Sequence, residues 1–279
     1  MTIDMSTTRT DLALESVQAA AKAAREDAVP GVRSQENRRE GYAITDIRIE
    51  SDAGAQALGK PVGRYVTVDL GPYFRREEDY FDRGVRCLAG ELAALLPEGP
   101  VLAAGLGNRA MTCDAVGPAA VDNLLVTRHM IRAMPRQFAD FRPVAAVCPG
   151  VLARTGMEAL ELVRGAVERV RPAAVIAVDA LAARDSARLC ATVQLSDTGL
   201  VPGSGVGNRR SALDRGTLGV PVLAVGIPTV VDADPEAGLF LTPRDIDQRI
   251  RELGRLLGYG ITLALQPSLT AADVTALLG

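Results

Sequence analysis

Four short runs of almost purely apolar residues constrain the fold of this chain more than any other feature of its sequence. They are PVLAAG (100–105), VAAVCPG (144–150), AAVIAVDA (173–180) and VPVLAVG (220–226). Such runs are typical of strands that are covered on both faces, as the strands of parallel sheets are. We therefore predict parallel strands at the centre of the fold.

Segments with helical periodicity separate these runs or follow them. They cover residues 118–134, 156–170 and 180–188, and two further segments at 243–257 and 270–278 are expected to close the chain. This alternation of β and α segments predicts an α/β fold of three layers, with a mostly parallel sheet and helices on both faces.

The N-terminal third of the chain has a different pattern. YAITDIRIE (42–50) and GRYVTVDL (63–70) alternate apolar and polar residues, as half-buried strands do. Residues 74–96 have the spacing of an amphipathic helix, and a further helix is predicted from residue 11 to 25, followed by a loop over 29–41. Since no internal repeat or long linker is present, we predict one domain with an N-terminal extension.

Charge and hydropathy exclude several classes of protein. Lys plus Arg total 31 and Asp plus Glu total 34, a net charge of −3, whereas nucleic-acid binders usually carry a strong basic excess. No apolar run approaches the roughly 20 residues of a membrane-spanning helix, and the N-terminus lacks the apolar core of a signal peptide. The four cysteines lie far apart in the sequence, which favours a reduced, cytoplasmic protein. We expect neither nucleic acid nor a membrane as a partner.

A single histidine, His129, limits the chemistry that this chain can perform. A histidine-rich metal site is excluded, and a Ser-His-Asp or Cys-His site would have to use His129. Because His129 lies in a helical run, a solvated or packing role is its default interpretation.

Two aspartates lie where parallel-sheet proteins bind ligands, at the carboxyl ends of strands. Asp179 ends the run 173–178, and Asp114 lies in the loop that leaves strand 100–104. If these strands are neighbours, the two carboxyls meet, and one is held protonated as an acid while the other acts as a base toward water. The alternatives are that Asp114 is only a turn residue and that Asp179 caps a helix beginning at 180.

A glycine-rich pattern offers a different function. Gly105, Gly107 and Ala110 fit a loose G-x-G-x-x-A dinucleotide pattern after a strand. The acidic residue that should follow the next strand is absent, and PGSGVGN (202–208) lacks the Lys-Ser/Thr of a P-loop. A nucleotide-binding enzyme therefore stays an alternative, and we predict no cofactor.

Taken together, these residues resemble the spore germination proteases of endospore-forming bacteria. The matching segments are TRTDLALE (8–15), GRYVTVDL (63–70), GLGN…DAVGPAAVDNLLVTRH (105–129), PGVLARTGMEALELVRG (149–165), VIAVDALAAR (175–184), QLSDTGLVPGSGVGNRR (194–210) and TLGVPVLAVGIPTVVDA (217–233). The resemblance implies an α/β fold like that of hydrogenase-maturation proteases and an endopeptidase of the aspartic type. Its two catalytic aspartates fall on Asp114 and Asp179.

The resemblance also implies a substrate, a location and a mode of activation. These proteases degrade small acid-soluble spore proteins during germination, in the forespore and spore core, as homotetramers. They are made as zymogens that trim their own N-terminus within a motif like TRTD-LALE. The expected propeptide is therefore 1–11, cut between Asp11 and Leu12, and 12–279 is the expected single α/β peptidase domain.

Two other functions remain open at this point. Asp114 and Asp179 could hold a divalent cation in a metal-dependent peptidase, since oxygen ligands suit hard cations. The chain is also shorter than typical members of the family, and a shortened member can be a non-catalytic α/β binding protein. Recognition of acidic flanking sequence needs basic residues, for which Arg109, Arg184 and Arg209 are candidates.

Overall fold

One sheet runs through the whole molecule and carries all the strands that the structure describes. The computed structural model of the chain describes residues 10–24, 29–207, 210–234 and 238–279. The strands are β1 Val32–Arg39, β2 Tyr42–Ile49, β3 Gly63–Asp69, β4 Val101–Gly105, β5 Val144–Val147, β6 Ala174–Ala183, β7 Thr192–Ser196, β8 Val222–Asp234 and β9 Leu239–Leu241. Their order across the sheet is β1-β2-β3-β7-β8-β6-β4-β5, and β9 pairs with β8.

Helices cover both faces of this sheet. They are α1 Ala13–Ala24, α2 Asp52–Leu58, α3 Gly71–Phe74, α4 Tyr80–Ala93, α5 Val116–Asp122, α6 Arg128–Ala133, α7 Leu152–Thr155, α8 Ala159–Val170, α9 Arg215–Leu218, α10 Ile246–Leu265 and α11 Ala271–Leu278. Alternate residues of β6 enter different cores, because successive side chains of a strand point to opposite faces. Ile176 packs with residues of α4 and α10, whereas Val175 packs with residues of α8.

The four apolar runs form the parallel centre of the sheet. β5, β4, β6 and β8 are neighbours in that order, and each adjacent pair is parallel. The predicted α/β fold, with a parallel centre and helices on both faces, is confirmed. Among the described residues, no helix has the length and apolar character needed to span a membrane.

An antiparallel half extends the parallel centre on the β8 side. β7 pairs antiparallel with β8, and β3, β2 and β1 follow, each antiparallel to its neighbour. The predicted strands at 42–50 and 63–70 are confirmed as β2 and β3. The loop predicted over 29–41 is wrong, since most of it is β1. This edge strand is exposed at every residue after Val32, so it lacks the apolar alternation that marks a strand.

Two predicted helices differ in the structure. The helix predicted over 180–188 is wrong, because β6 continues to Ala183 beside the long strand β8 and only a 3₁₀ turn follows at Ser186–Arg188. The helix predicted over 118–134 is two helices, α5 and α6. The chain leaves α5 because the Leu125 N–H donates to the Thr262 hydroxyl of α10 (3.1 Å) instead of to a helical carbonyl.

The long helix α10 supports the loop that carries the first aspartate. It packs against α5 and contacts the 3₁₀ turn Thr112–Asp114 just before α5. The approach is close, because a Cβ at Gly258 would lie 2.5 Å from the carbonyl oxygen of Asn123. The predicted closing helix at 270–278 is confirmed, and the Thr270 hydroxyl caps it through the N–H of Asp273 (3.2 Å).

Candidate active site

The carboxyl end of β4 lies beside the middle of β6, and both predicted aspartates are close to this point of the chain. Contrary to the sequence prediction, Asp179 does not end its strand, because β6 continues to Ala183. The two strands pair in parallel up to Gly105 and Val178, and Asp179 is the next residue of β6. The chain that leaves β4 stays at this edge, since the Leu106 N–H donates to the Val178 carbonyl oxygen over 2.8 Å. The two strands are therefore neighbours, as the sequence argument required.

Asp179 lies inside β6 and is only 6% exposed. Its Oδ1 accepts a hydrogen bond from the N–H of Ala180 (2.9 Å). Burial raises the pKa of Asp179 well above its ordinary value, and the nearby charge of Asp114 raises it further. Such a shift favours the protonated form of the carboxyl, which is the form that a general acid needs. The helix-capping alternative for Asp179 is wrong, because the strand continues past it.

Asp114 is the last residue of the 3₁₀ turn and stays partly exposed. Its Oδ2 and its backbone carbonyl oxygen both accept from the N–H of Asn108, at 2.9 and 3.0 Å. Burial raises the pKa of Asp114, and the hydrogen bond from Asn108 opposes that rise. The turn depends on Gly107, whose φ is +111° and whose Cβ would lie 2.0 Å from the Asp114 carbonyl oxygen.

The two aspartates line a common cavity of about 480 Å³. This volume lies in the usual range of ligand sites. A second cavity of about 190 Å³ lies beside it and shares Asp179 and Asp11, whereas Asp114 lines only the larger one. The two cavities thus meet at Asp179 and at the N-terminal segment of the chain.

Asp11 forms the wall between the two cavities. Its N–H donates to the carbonyl oxygen of Ala182 (2.9 Å), in the part of β6 that follows Asp179. Its carboxylate accepts from the N–H of Ala182 (2.9 Å) and from the hydroxyl of Ser204 (2.8 Å). Gly205 leaves room for this carboxylate, because a Cβ there would lie 2.1 Å from Oδ2 of Asp11. The residue expected to precede the propeptide cleavage point therefore lies beside Asp179.

The residues that follow Asp11 are also fixed by contacts with the rest of the chain. The side chain of Leu12 is fully buried in a small apolar cluster. Its partners there are Leu181, Ala183, Leu189 and Val231. The carboxylate of Glu15 accepts from the backbone N–H groups of Arg184 (2.7 Å) and Asp185 (2.9 Å) and lies 3.6 Å from Nε of Arg188.

Two polar side chains that the sequence did not single out also contact this segment. Lys60 Nζ and Gln194 Nε2 donate to the carbonyl oxygen of Asp11, at 2.8 and 3.0 Å. Neither residue belongs to a motif with a known chemical role. The strand register could have identified Gln194, which shares a row with Gly226 and Asp179 across β7, β8 and β6. The row can be recognised only when the order of the strands in the sheet is known.

The other residues that the sequence singled out contribute no side chain to the pair of carboxyls. Arg109 is exposed and forms a bidentate ion pair with Asp122. His129 is exposed on α6 and lines neither cavity. Arg184 enters the site through its backbone N–H, and Arg209 lies outside the described residues.

The glycines of the dinucleotide-like pattern allow close backbone contacts between segments of this chain. A Cβ at Gly105 would lie 2.5 Å from the carbonyl oxygen of Gly117, so β4 and α5 touch through their backbones. Gly107 likewise allows the backbone to pass close to the carbonyl oxygen of Asp114. Over the part of the chain that the structure describes, no three His, Cys, Asp or Glu side chains cluster so that they could hold a metal ion.

Comparison with known proteins connects this geometry to one family. The family model described as germination protease (Peptidase_A25) matches residues 9–238. A germination protease of Caldanaerobacter subterraneus subsp. tengcongensis is 40% identical, over 97% of this chain and 98% of the relative. One of Clostridium perfringens is 35% identical over the same shares, and that of Priestia megaterium is 39% identical over 95% of this chain and 76% of its own.

A search of solved structures gives a more distant similarity. The [NiFe] hydrogenase maturation protease HycI from Thermococcus kodakarensis is 17% identical, with a TM-score of 0.40, and the match covers 61% of this chain and 98% of that one. The sequence matches carry the assignment, since they run along nearly the whole chain and include both Asp114 and Asp179. The chain belongs to the germination protease family and is a peptidase.

Proposed function

We propose that this peptidase is an endopeptidase that begins the degradation of small acid-soluble spore proteins during germination, with Asp114 and Asp179 activating water. The observation that carries the proposal is the cavity that buried Asp179 and partly exposed Asp114 line together with Asp11. Membership of the family supports a role in spore germination. The motifs that resemble this family support the substrate class.

The surroundings of the two carboxyls support different roles for them. Asp179 is the more buried and holds the proton, whereas Asp114 is partly exposed and accepts a backbone hydrogen bond that favours its ionised form. Asp114 takes a proton from water as the water oxygen attacks the carbonyl carbon. Asp179 gives its proton to the leaving amine as the C–N bond breaks. Because the carboxyls are coupled, the pair titrates jointly.

We also propose that residues 1–11 are a propeptide and that 12–279 form the mature peptidase domain. Residues 1–9 lie outside the described residues, and the support for this cleavage point is that Asp11, the residue before the proposed bond, lines both cavities. We expect a homotetramer in the forespore and spore core, as the resemblance implies. Sedimentation equilibrium that returns the mass of one 29.3 kDa chain would reject the tetramer.

The test is cleavage of a purified small acid-soluble spore protein, followed by mass spectrometry of the products. We expect Asp114→Asn and Asp179→Asn each to lower the rate by about 10²–10⁴-fold, the usual effect of losing a general acid or base. Asp140→Asn is the matched control, since Asp140 is exposed and lines neither cavity, and it should cleave like wild type. EDTA should leave all these rates unchanged.

Each alternative function has its own outcome in this assay. Loss of wild-type cleavage in EDTA, restored by a divalent cation, would favour a metal-dependent peptidase that uses the same carboxylates. No cleavage by wild type, even after residues 1–11 are removed, would favour a binding protein. Wild-type rates in either aspartate variant would reject the carboxyl pair.

A further inference from the structure

The carbonyl oxygen of Asp11 accepts two side-chain hydrogen bonds. Lys60 Nζ lies 2.8 Å from it and Gln194 Nε2 lies 3.0 Å from it. Both distances are those of good hydrogen bonds. If the chain cuts itself between Asp11 and Leu12, this oxygen belongs to the bond that is broken. Two donors at such an oxygen are the arrangement that stabilises the charge of a tetrahedral intermediate.

The sheet fixes the position of Gln194 relative to the catalytic pair. Gln194 of β7 pairs with Gly226 of β8, and Gly226 pairs with Asp179 of β6. Residues in such a row point to the same face of the sheet, and neighbouring strands are about 4.8 Å apart. Gln194 and Asp179 therefore flank a strip about two strand spacings wide, which is enough for an extended peptide.

A second hydrogen bond fixes the orientation of the Gln194 amide. Its Oε1 accepts from the N–H of Ala13 at 2.7 Å, so its Nε2 is the atom that faces the Asp11 carbonyl oxygen. One side chain thus contacts the peptide on both sides of the Asp11–Leu12 bond. This double contact places the carbonyl, and it does so with a donor that is already oriented before reaction.

Lys60 adds a cation to the same oxygen. It lies in the connection between α2 and β3, and its charged neighbours are the carboxylates of Asp11 and Glu15. Burial lowers the pKa of Lys60, and those two carboxylates oppose that shift. Lys60 and Lys22 are the only lysines in the sequence, in which every other basic side chain except that of His129 is an arginine. A compact ammonium is a point charge, which suits a single oxygen better than a planar guanidinium does.

Anchors on both sides of the carbonyl fix its position. The Asp11 carboxylate is held by Ser204 and by the backbone of Ala182, and the Leu12 side chain is buried. The carboxylate of Glu15 is held three residues further on. The segment is therefore held on both sides of the Asp11 carbonyl, by contacts of Asp11 and Leu12 and by Glu15 in the first turn of α1, with Lys60 and Gln194 at the carbonyl oxygen.

We propose that Lys60 and Gln194 form the oxyanion hole of this peptidase and are catalytic residues beside Asp114 and Asp179. The proposal rests on the proposed cleavage between Asp11 and Leu12. The water oxygen bonds to the Asp11 carbonyl carbon, its proton goes to Asp114, and the negative charge forms on the oxygen that Lys60 and Gln194 hold. The C–N bond then breaks as Asp179 protonates the nitrogen of Leu12, which leaves a carboxyl and an amine.

The test measures self-cleavage and binding of the segment separately. The rate constant for loss of residues 1–11 from the full chain is followed by intact-mass spectrometry. Lys60→Met removes the ammonium, and Gln194→Glu removes the Nε2 donor while it keeps an acceptor for Ala13. We expect each rate constant to fall about 10²–10³-fold, as on removal of one oxyanion donor. The exposed lysine gives the matched control, Lys22→Met, which should cleave like wild type.

Hydrogen exchange then separates catalysis from positioning. The same substitutions are made in the Asp179→Asn chain, which should not cleave, and protection of the amides of residues 12–15 is measured. Protection like that of the parent chain, together with the slower cleavage, supports the oxyanion hole. The oxyanion hole is overturned if the amides of residues 12–15 lose enough protection to account for the slower cleavage. It is also overturned if the cleavage rate constant stays within threefold of the wild-type value. If Lys60→Met does not fold, Lys60→Gln is judged by the same criteria.

Failure of the proposed function gives a different result from failure of the oxyanion hole. If Asp179→Asn cleaves itself at the wild-type rate, or if wild type never loses residues 1–11, the proposed cleavage is wrong and the oxyanion hole falls with it. If the aspartate variants are inactive but Lys60→Met and Gln194→Glu cleave normally, only the oxyanion hole is wrong.

Discussion

Asp179 and Asp114 are chemically identical, and the protein gives them different properties through their surroundings. Asp179 lies within a strand between two others and accepts one hydrogen bond, from Ala180. Asp114 lies in a turn that is partly exposed, and the Asn108 N–H faces its carboxylate. Burial therefore raises the pKa of Asp179 more strongly than that of Asp114, and the charge of Asp114 raises the pKa of Asp179 further.

This environment predicts that Asp179 lowers stability at neutral pH. A carboxyl whose pKa is raised in the fold contributes its full stability below the unfolded-state pKa and loses it as the pH rises through the folded-state pKa. The pKa of Asp179 is raised well above 3.8. We therefore expect Asp179→Asn to unfold at a higher urea concentration than wild type at pH 7, with a smaller difference at pH 4.

Urea unfolding at the two pH values measures this directly, and Asp140→Asn is the control for loss of an exposed carboxylate. A variant that is less stable than wild type by the same amount at both pH values would contradict the account. Such a result would mean that Asp179 stabilises the folded state through its hydrogen bond, and that its burial does not lower the free energy of unfolding at pH 7.

The sequence singled out the two aspartates as candidates but not Lys60 or Gln194, for a physical reason. Asp114 and Asp179 follow apolar strands, and ligand sites of parallel sheets form at those strand ends. Lys60 lies in an ordinary connection, and Gln194 lies in the short strand TVQLS. Their roles arise from contact with residues that are more than 40 positions away, at Asp11. No local pattern records such a contact.

At the scale of elements, the extension of β6 beyond Asp179 creates the place where the N-terminal segment binds. Sequence pattern favoured a helix at 180–188, because DALAARDSAR is rich in good helix formers. The structure is a strand because β8 is 13 residues long and pairs with β6 as far as Ala183. Asp11 binds this extension at Ala182, through the hydrogen bonds of its N–H and its carboxylate to the Ala182 backbone.

The contact between α10 and α5 is a second element on which the site depends. A Cβ at Gly258 would lie 2.5 Å from the Asn123 carbonyl oxygen and 2.6 Å from that of Ala120, so α10 lies directly on the backbone of α5. We expect Gly258→Ala to cost about 1–3 kcal/mol of unfolding free energy through overpacking. It should also slow cleavage, because α5 follows the turn of Asp114.

A helical glycine elsewhere in the chain gives the matched control. Gly165 lies in α8, is exposed, and has no atom within 4 Å of its Cβ position. Gly165→Ala should therefore raise stability by about 0.5–1 kcal/mol, since alanine is the better helix former. Urea unfolding of both variants tests the pair. Equal effects of the two substitutions would show that the α10–α5 contact does not require glycine.

At the scale of the whole molecule, the site forms where two halves of one sheet meet. The parallel half supplies Asp114 and Asp179 from β4 and β6, and the antiparallel half supplies Gln194 from β7. Lys60 comes from the connection that leads into β3. The parallel half was predictable, because buried apolar runs mark its strands. The antiparallel order was not, because it depends on the pairing of β7 with β8 and β3, which no turn signal specifies.

Self-cleavage of the full chain is the decisive measurement for the proposed aspartate pair. Wild type, Asp114→Asn and Asp179→Asn would be incubated in EDTA, and the intact mass of each would be followed with time. The proposed aspartate pair predicts that wild type loses residues 1–11 and begins at Leu12, while both variants keep their full mass. A variant that is processed at the wild-type rate, or a wild type that is cut at another bond, would contradict it.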